Sequence, residues 1–352
     1  VKIGILTHHY INNYGAFLQA WALCDAIQTM CPNDEVEIID YVNLKHKVIN
    51  TFGWFRFYKD RENLKCWREK IKLPKTFSRA RQKEMKLSRR CHKVEQVNKL
   101  EYDVIIIGSD EVWNFKDSKA YDPIKFGIGL KCKKLIAYAP SVGQATFKEM
   151  PKCIEEGIKK FSAISARDDL SFELVEKVAG KSAIRVLDPT FLSKFPMKKI
   201  KVNKPYILFY YCDKLPKRIK EQILKYAKEN QMAVYGAGEC DKQYTNITVN
   251  LTPFEWVGMF RNARFVFTGT FHGTVFSILN KRQFKVYLTN ESRIKKVGAL
   301  LRELKIENRI MESEFKFDLQ KMGNEINYEK VYNIIDKKKR ESLQFLEDAI
   351  RR

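Results

Sequence analysis

Four loops carry side chains that can hold an anion or move a proton, and each follows a short β-branched run that reads as a strand. The fullest set is Thr268, Gly269, Thr270, Phe271, His272, Gly273 and Thr274, between an expected strand at 265–268 and a helix expected over 273–280. Imidazole exchanges protons near neutral pH without help, free amides at a helix start suit phosphate, and Gly273 lets backbone approach a ligand closely. A lone histidine is more often structural. Arg167, followed by Asp168 and Asp169, offers a planar fork matched to carboxylate or phosphate, with a structural ion pair to Asp168 or Asp188 equally consistent. In Gly108-Ser109-Asp110-Glu111-Val112-Trp113-Asn114, Asp110 is placed to accept a proton from a sugar hydroxyl and Trp113 to stack on a sugar face. A plain helix cap explains Ser109-Asp110 as well. The first loop, His8 to Gly15 with Gln19 beyond it, brings Asn13, Tyr14 and Gly15 to a helix start that suits an anionic or hydroxyl-rich ligand, or is simply an Asn-capped helix.

Other chemistries are disfavoured. The G-x-G-x-x-G dinucleotide fingerprint is absent from both glycine-bearing loops of the first half. The eight cysteines (Cys24, Cys31, Cys66, Cys91, Cys132, Cys153, Cys212, Cys240) form no C-x-x-C pair and stand near no histidine at metal-ligand spacing, so a metal site is not expected and the thiols are expected to be reduced. With no apolar run near the ~18 residues of a spanning helix and no signal-like leader, the expected location is cytoplasmic, with peripheral attachment at the inner face of the membrane as an option.

Strands must alternate with helices to put these loops on one edge of a sheet. The chain of 352 residues reads that way, with strands expected at 2–7, 35–41, 104–107, 134–138, 163–166 and 184–187, then, beyond a lysine- and proline-rich link, at 206–211, 233–235, 265–268 and 284–287. The fold class is α/β. We expect a domain over 1–195, a second over 196–327, and an amphipathic helix over 328–352 packing back across the boundary.

One segment breaks the alternation. Residues 45–99 hold 18 Lys or Arg against 5 Asp or Glu, a net +13 of the chain's +23. Loose helical spacing of its apolar residues predicts one or two basic amphipathic helices inserted in the first domain at 45–100. A solvated excursion is the plain reading. A contact with polyanions or an anionic membrane surface is the functional one, with Phe52, Trp54, Phe55, Phe57 and Tyr58 as an aromatic anchor. Nucleic acid is not expected, because no nucleic-acid-binding signature accompanies the charge.

In order along the chain, NNYGAFLQAWAL, VIIIGSDEVWN, YAPSVG, SARDDLSF with VLDPTFL, FTGTFHGTVFSILNKRQF, and NESRIKKVGALLREL with ENRI resemble the signatures of the polysaccharide pyruvyl transferase family. The likeness spans about residues 2–310. It implies two Rossmann-like domains facing a cleft, similar to B-type glycosyltransferases, with no metal and no bound cofactor. It also implies transfer of the pyruvyl group of phosphoenolpyruvate onto two hydroxyls of a cell-surface glycan or its lipid-linked precursor, closing a ketal. Carried over by motif, Arg167 would hold the donor's carboxylate or phosphate and His272 would be the acid or a phosphate ligand. Gly273, Thr274 and Thr270 would border the donor, and Asn13, Tyr14, Gly15, Gln19, Ser109 and Trp113 the acceptor, with Asp110 as base. Some members carry arginine where Thr270 stands and many an acidic residue where Gly269 stands. Arg293 is the expected substitute cation, with Lys281 or Arg282 behind it.

Two rivals fit the same residues: a nucleotide-sugar-dependent glycosyltransferase of the same architecture, and a non-catalytic polyanion- or membrane-binding protein built on the basic segment.

Overall fold

A computed structural model describes residues 1–55, 64–180, 183–196, 198–212, 214–311 and 326–351. The chain divides into two compact units, one of residues 1–53, 78–194 and 336–352, the other of residues 54–77 and 195–335. Each holds a parallel sheet, so the α/β class with two Rossmann-like units is as the sequence implied.

In the first unit β1 (Lys2–Leu6), β2 (Glu35–Ile38), β3 (Val104–Ile107), β4 (Lys134–Ala137), β5 (Ala163–Ala166) and β6 (Ile184–Arg185) lie in the order β2-β1-β3-β4-β5-β6. Val104-Ile105-Ile106-Ile107 is buried throughout, as expected of a parallel strand covered on both faces. The order reverses between β1 and β3. Open α/β sheets bind ligands outside the carboxyl ends of the strands at such a reversal, which here is formed by the loops after Leu6 and Ile107. Helix α1 (Tyr14–Met30) starts from Asn13, whose side chain accepts from the Ala16 amide.

In the second unit β7 (Tyr206–Tyr210), β8 (Ala233–Gly236), β9 (Phe265–Thr268) and β10 (Gln283–Val286) lie in the order β10-β9-β7-β8. Phe209 and Phe267 stack at 5.3 Å between ring centroids in its core. Burying such a ring contributes roughly 1.5–3 kcal/mol. The reversal falls between β7 and β9, so the loop after Thr268 occupies the topological place in this sheet that the loop after β3 or β1 occupies in the first.

Several expectations change. The helix after β9 is Phe271–Leu279, which we label α10, and begins two residues before Gly273. The basic segment forms four described helices, α2 (Leu44–Phe52), α3 (Leu64–Lys70), α4 (Leu73–Glu84) and α5 (Val94–Asn98), rather than one or two. Its residues 54–77 cluster with the second unit and the rest with the first, although the whole stretch reads from sequence as an excursion from the first domain. The cysteines are not all reduced, because Cys66 and Cys240 form a disulfide across 174 residues of sequence. Phe52 and Phe55 of the expected aromatic anchor are exposed, while Phe57 and Tyr58 lie outside the described residues.

Candidate active site

In the second unit the loop after β9 is built by its own threonines. Thr270 caps α10, its Oγ1 accepting from the Gly273 amide at 3.0 Å, and Thr274 Oγ1 donates to the Thr270 carbonyl at 2.9 Å. A Cβ on Gly273 would sit 2.0 Å from Thr268 Oγ1 and 2.8 Å from Thr270 Oγ1. The glycine is therefore required by close packing inside the turn, not by the approach of a ligand. Gly273 and the fully buried Thr274 are builders of the loop rather than exposed donor contacts, while Thr270, its cap, is half-buried. Gly269 likewise has no room for the expected acidic alternative, since a Cβ there would meet the Tyr211 carbonyl oxygen at 2.4 Å.

That capping leaves His272 as the second residue of α10, half-buried, its ring edge-on to Phe271 at 5.4 Å. Arg293 comes to the same loop. Helix α11 (Glu291–Glu303), capped by Asn290, presents its exposed guanidinium so that Nη1 donates to the Gly269 carbonyl at 3.2 Å. An imidazole, a guanidinium and the amide end of a nine-residue helix thus share one turn. Lys281 and Arg282, the next cations in line, follow the far end of α10, about 13 Å along its axis. Lys281 Nζ lies 4.6 Å over the Tyr332 ring, and Arg282 Nε donates to the Asn280 carbonyl.

In the first unit Arg167 is held by carboxylates. Nη1 donates to Asp188 Oδ2 and Nη2 to Asp110 Oδ1 at 3.5 Å, with only 6% of the arginine side chain exposed and none of that of Asp188. Burial alone would lower the guanidinium pKa, but the charges of Asp188 and then Asp110 outweigh it and leave it raised. Asp168 is not a hydrogen-bond partner here, because its carboxylate caps α7 (Asp169–Ala179) and accepts from Ser171 N and Oγ. Of the two readings of Arg167, the ion pair with Asp188 is the one observed.

The acceptor set divides. Asn13 is exposed, while Tyr14 and Gly15 are buried in the first turn of α1. Gln19 has no exposed surface: Nε2 donates to Thr7 Oγ1 at 2.9 Å and Oε1 accepts from Ser109 Oγ at 2.9 Å. Ser109 is buried with it, so the pair ties the loop after β1 to the loop after β3 and presents no surface. Trp113 is also fully buried, donating from Nε1 to the Lys125 carbonyl at 2.8 Å and packing on Phe126 and Phe161. It is a core residue, not a sugar platform. Asp110 stays partly exposed beside them, at a left-handed φ of 72°.

Sequence reasoning missed Lys125. It is 1% exposed in a 3₁₀ turn over Pro123–Phe126, and its Nζ donates to the Ala120 carbonyl and to His8 Nε2. Burial pushes its pKa down to about 7 against the opposing charges of Asp122, Asp117 and Asp110. Burial and that ammonium hold His8 well below the usual histidine range, so it accepts as neutral imidazole. Asp122-Pro123 is a readable start for a helical turn, but nothing in sequence points Lys125 inward.

Among the described residues no cluster of three or more His, Cys, Asp or Glu side chains could hold a metal ion, and no helix is long and apolar enough to cross a membrane.

A family model described as polysaccharide pyruvyl transferase matches residues 13–288, well over half of the chain, including the loops after β3 and β9. The chain belongs to the polysaccharide pyruvyl transferase family. No curated protein matches the sequence. A solved putative UDP-N-acetylglucosamine 2-epimerase from Listeria monocytogenes is similar at 8% identity, covering 98% of this chain and 90% of that one with a TM-score of 0.49. A Streptomyces glycosyltransferase complexed with thymidine diphosphate is similar at 10% identity, 99% of each chain and 0.43. An Escherichia coli heptosyltransferase with ADP is similar at 9% identity, 88% of this chain and 97% of that one, and 0.37. Scores this low carry no argument about chemistry, which for this pyruvyl transferase family member rests on its motifs and loops.

Proposed function

We propose that this transferase moves the pyruvyl group of phosphoenolpyruvate onto two hydroxyls of a glycan, closing a cyclic ketal. The observation that carries the reading is the convergence of His272 and Arg293 on one turn at the strand-order reversal of the second unit. Phosphoenolpyruvate is an enol ester with three negative charges near neutral pH, so a site must neutralise it and protonate its methylene carbon. In this reading the Arg293 guanidinium and the amide end of α10 take up donor charge, and His272 gives the proton to carbon. The second carbon becomes electrophilic, one acceptor hydroxyl attacks it, phosphate leaves, and the second hydroxyl closes the ring. A placed acid contributes typically ~10²–10⁴ in rate, with charge stabilisation supplying the rest.

The acceptor side falls to the first unit. Asp110 is a partly exposed carboxylate at its reversal and is the proposed base for the attacking hydroxyl, with Arg167 orienting it and Asn13 bordering the acceptor. Donor binding by Arg167 is dropped from the mechanism, because both arms of its fork already meet carboxylates. The glycan, in a lipid-linked or finished polysaccharide of the cell envelope such as a capsule or exopolysaccharide, is the proposed partner. Phosphoenolpyruvate acts as co-substrate and no resident cofactor is assigned. A cytoplasmic site, with or without attachment at the inner membrane face, is where both substrates would be met.

The test is a coupled phosphate-release assay with phosphoenolpyruvate against free and lipid-linked glycans. Acceptor-dependent phosphate release together with a mass gain of one pyruvyl ketal on the glycan supports the reading. A thermal shift with nucleoside diphosphates and none with phosphoenolpyruvate would favour the nucleotide-sugar glycosyltransferase instead.

A further inference from the structure

The basic segment packs cations onto the first loop with too few carboxylates to meet them. Arg81, from α4, reaches down to the loop after β1. Its Nη2 donates to Asn12 Oδ1 at 3.2 Å and its Nη1 to the Ile11 carbonyl at 3.5 Å, both neutral oxygens. Helix α2 covers the same loop from another side: Asn50 Oδ1 accepts from the Asn12 amide at 2.9 Å, and His46 Nδ1 meets the Tyr10 hydroxyl at 3.0 Å. Lys47 lies three residues before Asn50 and so shares its face of α2. Arg90 follows α4 and pairs with Asp40 at 3.0 Å, while the other Asp40 oxygen is taken by buried His9 at 3.0 Å.

The charges do not balance. Lys47, Arg81 and Arg90 stand against Asp40, three positive to one negative, and burial keeps His9 neutral. Burial and the Arg90 charge push Arg81 down to about 10, against the opposing pull of Asp40. Lys47 is lowered by burial and then by Arg90 and Arg81. Among the described residues neither Lys47 nor Arg81 makes an ion pair. Partly buried cations that repel one another around neutral walls are an unfilled demand for negative charge. The place is also where a ligand is expected, at the reversal between β1 and β3.

We propose that Lys47 and Arg81 bind an anion of the phosphate class over the loop after β1, with the buried Asn12 as its neutral wall and Arg90 held back by Asp40. A phosphate or diphosphate ester fits the chemistry, because a guanidinium fork and an ammonium together suit its several oxygens. Assigning that ester to the glycan acceptor rests on the ketal-forming reading above, whereas the anion site itself does not.

Sodium pyrophosphate is the probe, titrated calorimetrically into the full chain at low salt. Wild type binds it, and the Lys47→Gln/Arg81→Gln double variant binds at least roughly tenfold more weakly. Without ligand, the double variant melts at the same temperature as wild type or above it, because mutual repulsion has been relieved. Arg81→Lys keeps part of the affinity, since it retains the charge and loses the fork. Absence of pyrophosphate binding to wild type, or equal binding by wild type and double variant, overturns the proposal. So does a double variant that melts well below wild type, which would make Arg81 a structural strut. Phosphatidylcholine vesicles carrying an isoprenyl diphosphate identify the source of the ester. Recruitment lost in the double variant marks a lipid-anchored ester, and binding of soluble pyrophosphate without recruitment marks a free one. Recruitment to phosphatidylserine vesicles that is equal for both proteins, with no pyrophosphate binding, overturns the site in favour of a bare membrane contact. Pyrophosphate binding without turnover of phosphoenolpyruvate leaves the anion site standing and sinks the ketal-forming reading alone.

Discussion

Arg167 in the first unit and Arg293 in the second both stand at the carboxyl edge of a parallel sheet, yet they are in opposite electrostatic conditions. The first is buried and clasped by Asp188 and Asp110, whereas the second is exposed and spends one donor on a carbonyl oxygen of the loop that carries His272. An arginine already neutralised by two carboxylates is a strut, and one resting on a neutral carbonyl keeps its charge for a substrate. Position at that edge alone does not distinguish them. Their partners do.

The sharpest way to break this contrast is His272→Ala. Acceptor-dependent phosphate release from phosphoenolpyruvate should fall about 10²- to 10⁴-fold with an unchanged circular dichroism spectrum. Activity near wild type would remove the second-unit loop from the chemistry. Arg167→Gln comes next and should act on folding, lowering stability by about 3 kcal/mol, because two carboxylates lose their shared partner in a nearly dry site. Unchanged denaturant stability together with a loss of donor affinity would reverse the roles of the two arginines.

Lys125 extends the contrast to an ammonium. Its folded pKa near 7 lies below the ordinary lysine value of 10.5, so between these pH values the unfolded chain holds a proton that the folded chain does not. Stability from this group is present above about pH 10 and is lost as the pH falls through that window. The slope approaches roughly 1.4 kcal/mol per pH unit. Lys125→Met should flatten the dependence in denaturant titrations, and an unaltered slope would show that this amine is charged in the folded protein. The smallest effect belongs to Arg293→Gln, about tenfold in KM for phosphoenolpyruvate with little change in melting temperature. Should it melt early instead, its bond to Gly269 would be holding the loop together.

Much of this was legible in the sequence, and the failures have physical causes. Strands 104–107 and 265–268 appear with the boundaries expected from their apolar, β-branched-rich runs, because a short apolar run between breakers leaves little freedom. The sequence puts the start of α10 two residues late. Thr270 and Gly273 stand three apart, so the threonine caps the glycine amide and the glycine that looks like an opening is the third residue of the helix. Trp113 and Gln19 have the composition of a sugar-binding loop but face inward, and single-residue chemistry cannot tell a stacking platform from a core ring. Arg167 left two readings open until Asp188, 21 residues away in sequence, was found against it. The pairing of Cys66 with Cys240 had no local trace, because sequence spacing carries no signal across 174 residues.

That last bond changes where the molecule may be cut. Helix α3 is stitched through Cys66 to the stretch after β8, and Thr76 Oγ1 donates to Asn250 Oδ1 at 2.8 Å nearby. A gene fragment beginning at Phe195 would therefore express a half lacking a piece encoded more than a hundred residues upstream. Excising the lysine-rich region wholesale, the obvious surgery for probing surface charge, would injure both halves at once.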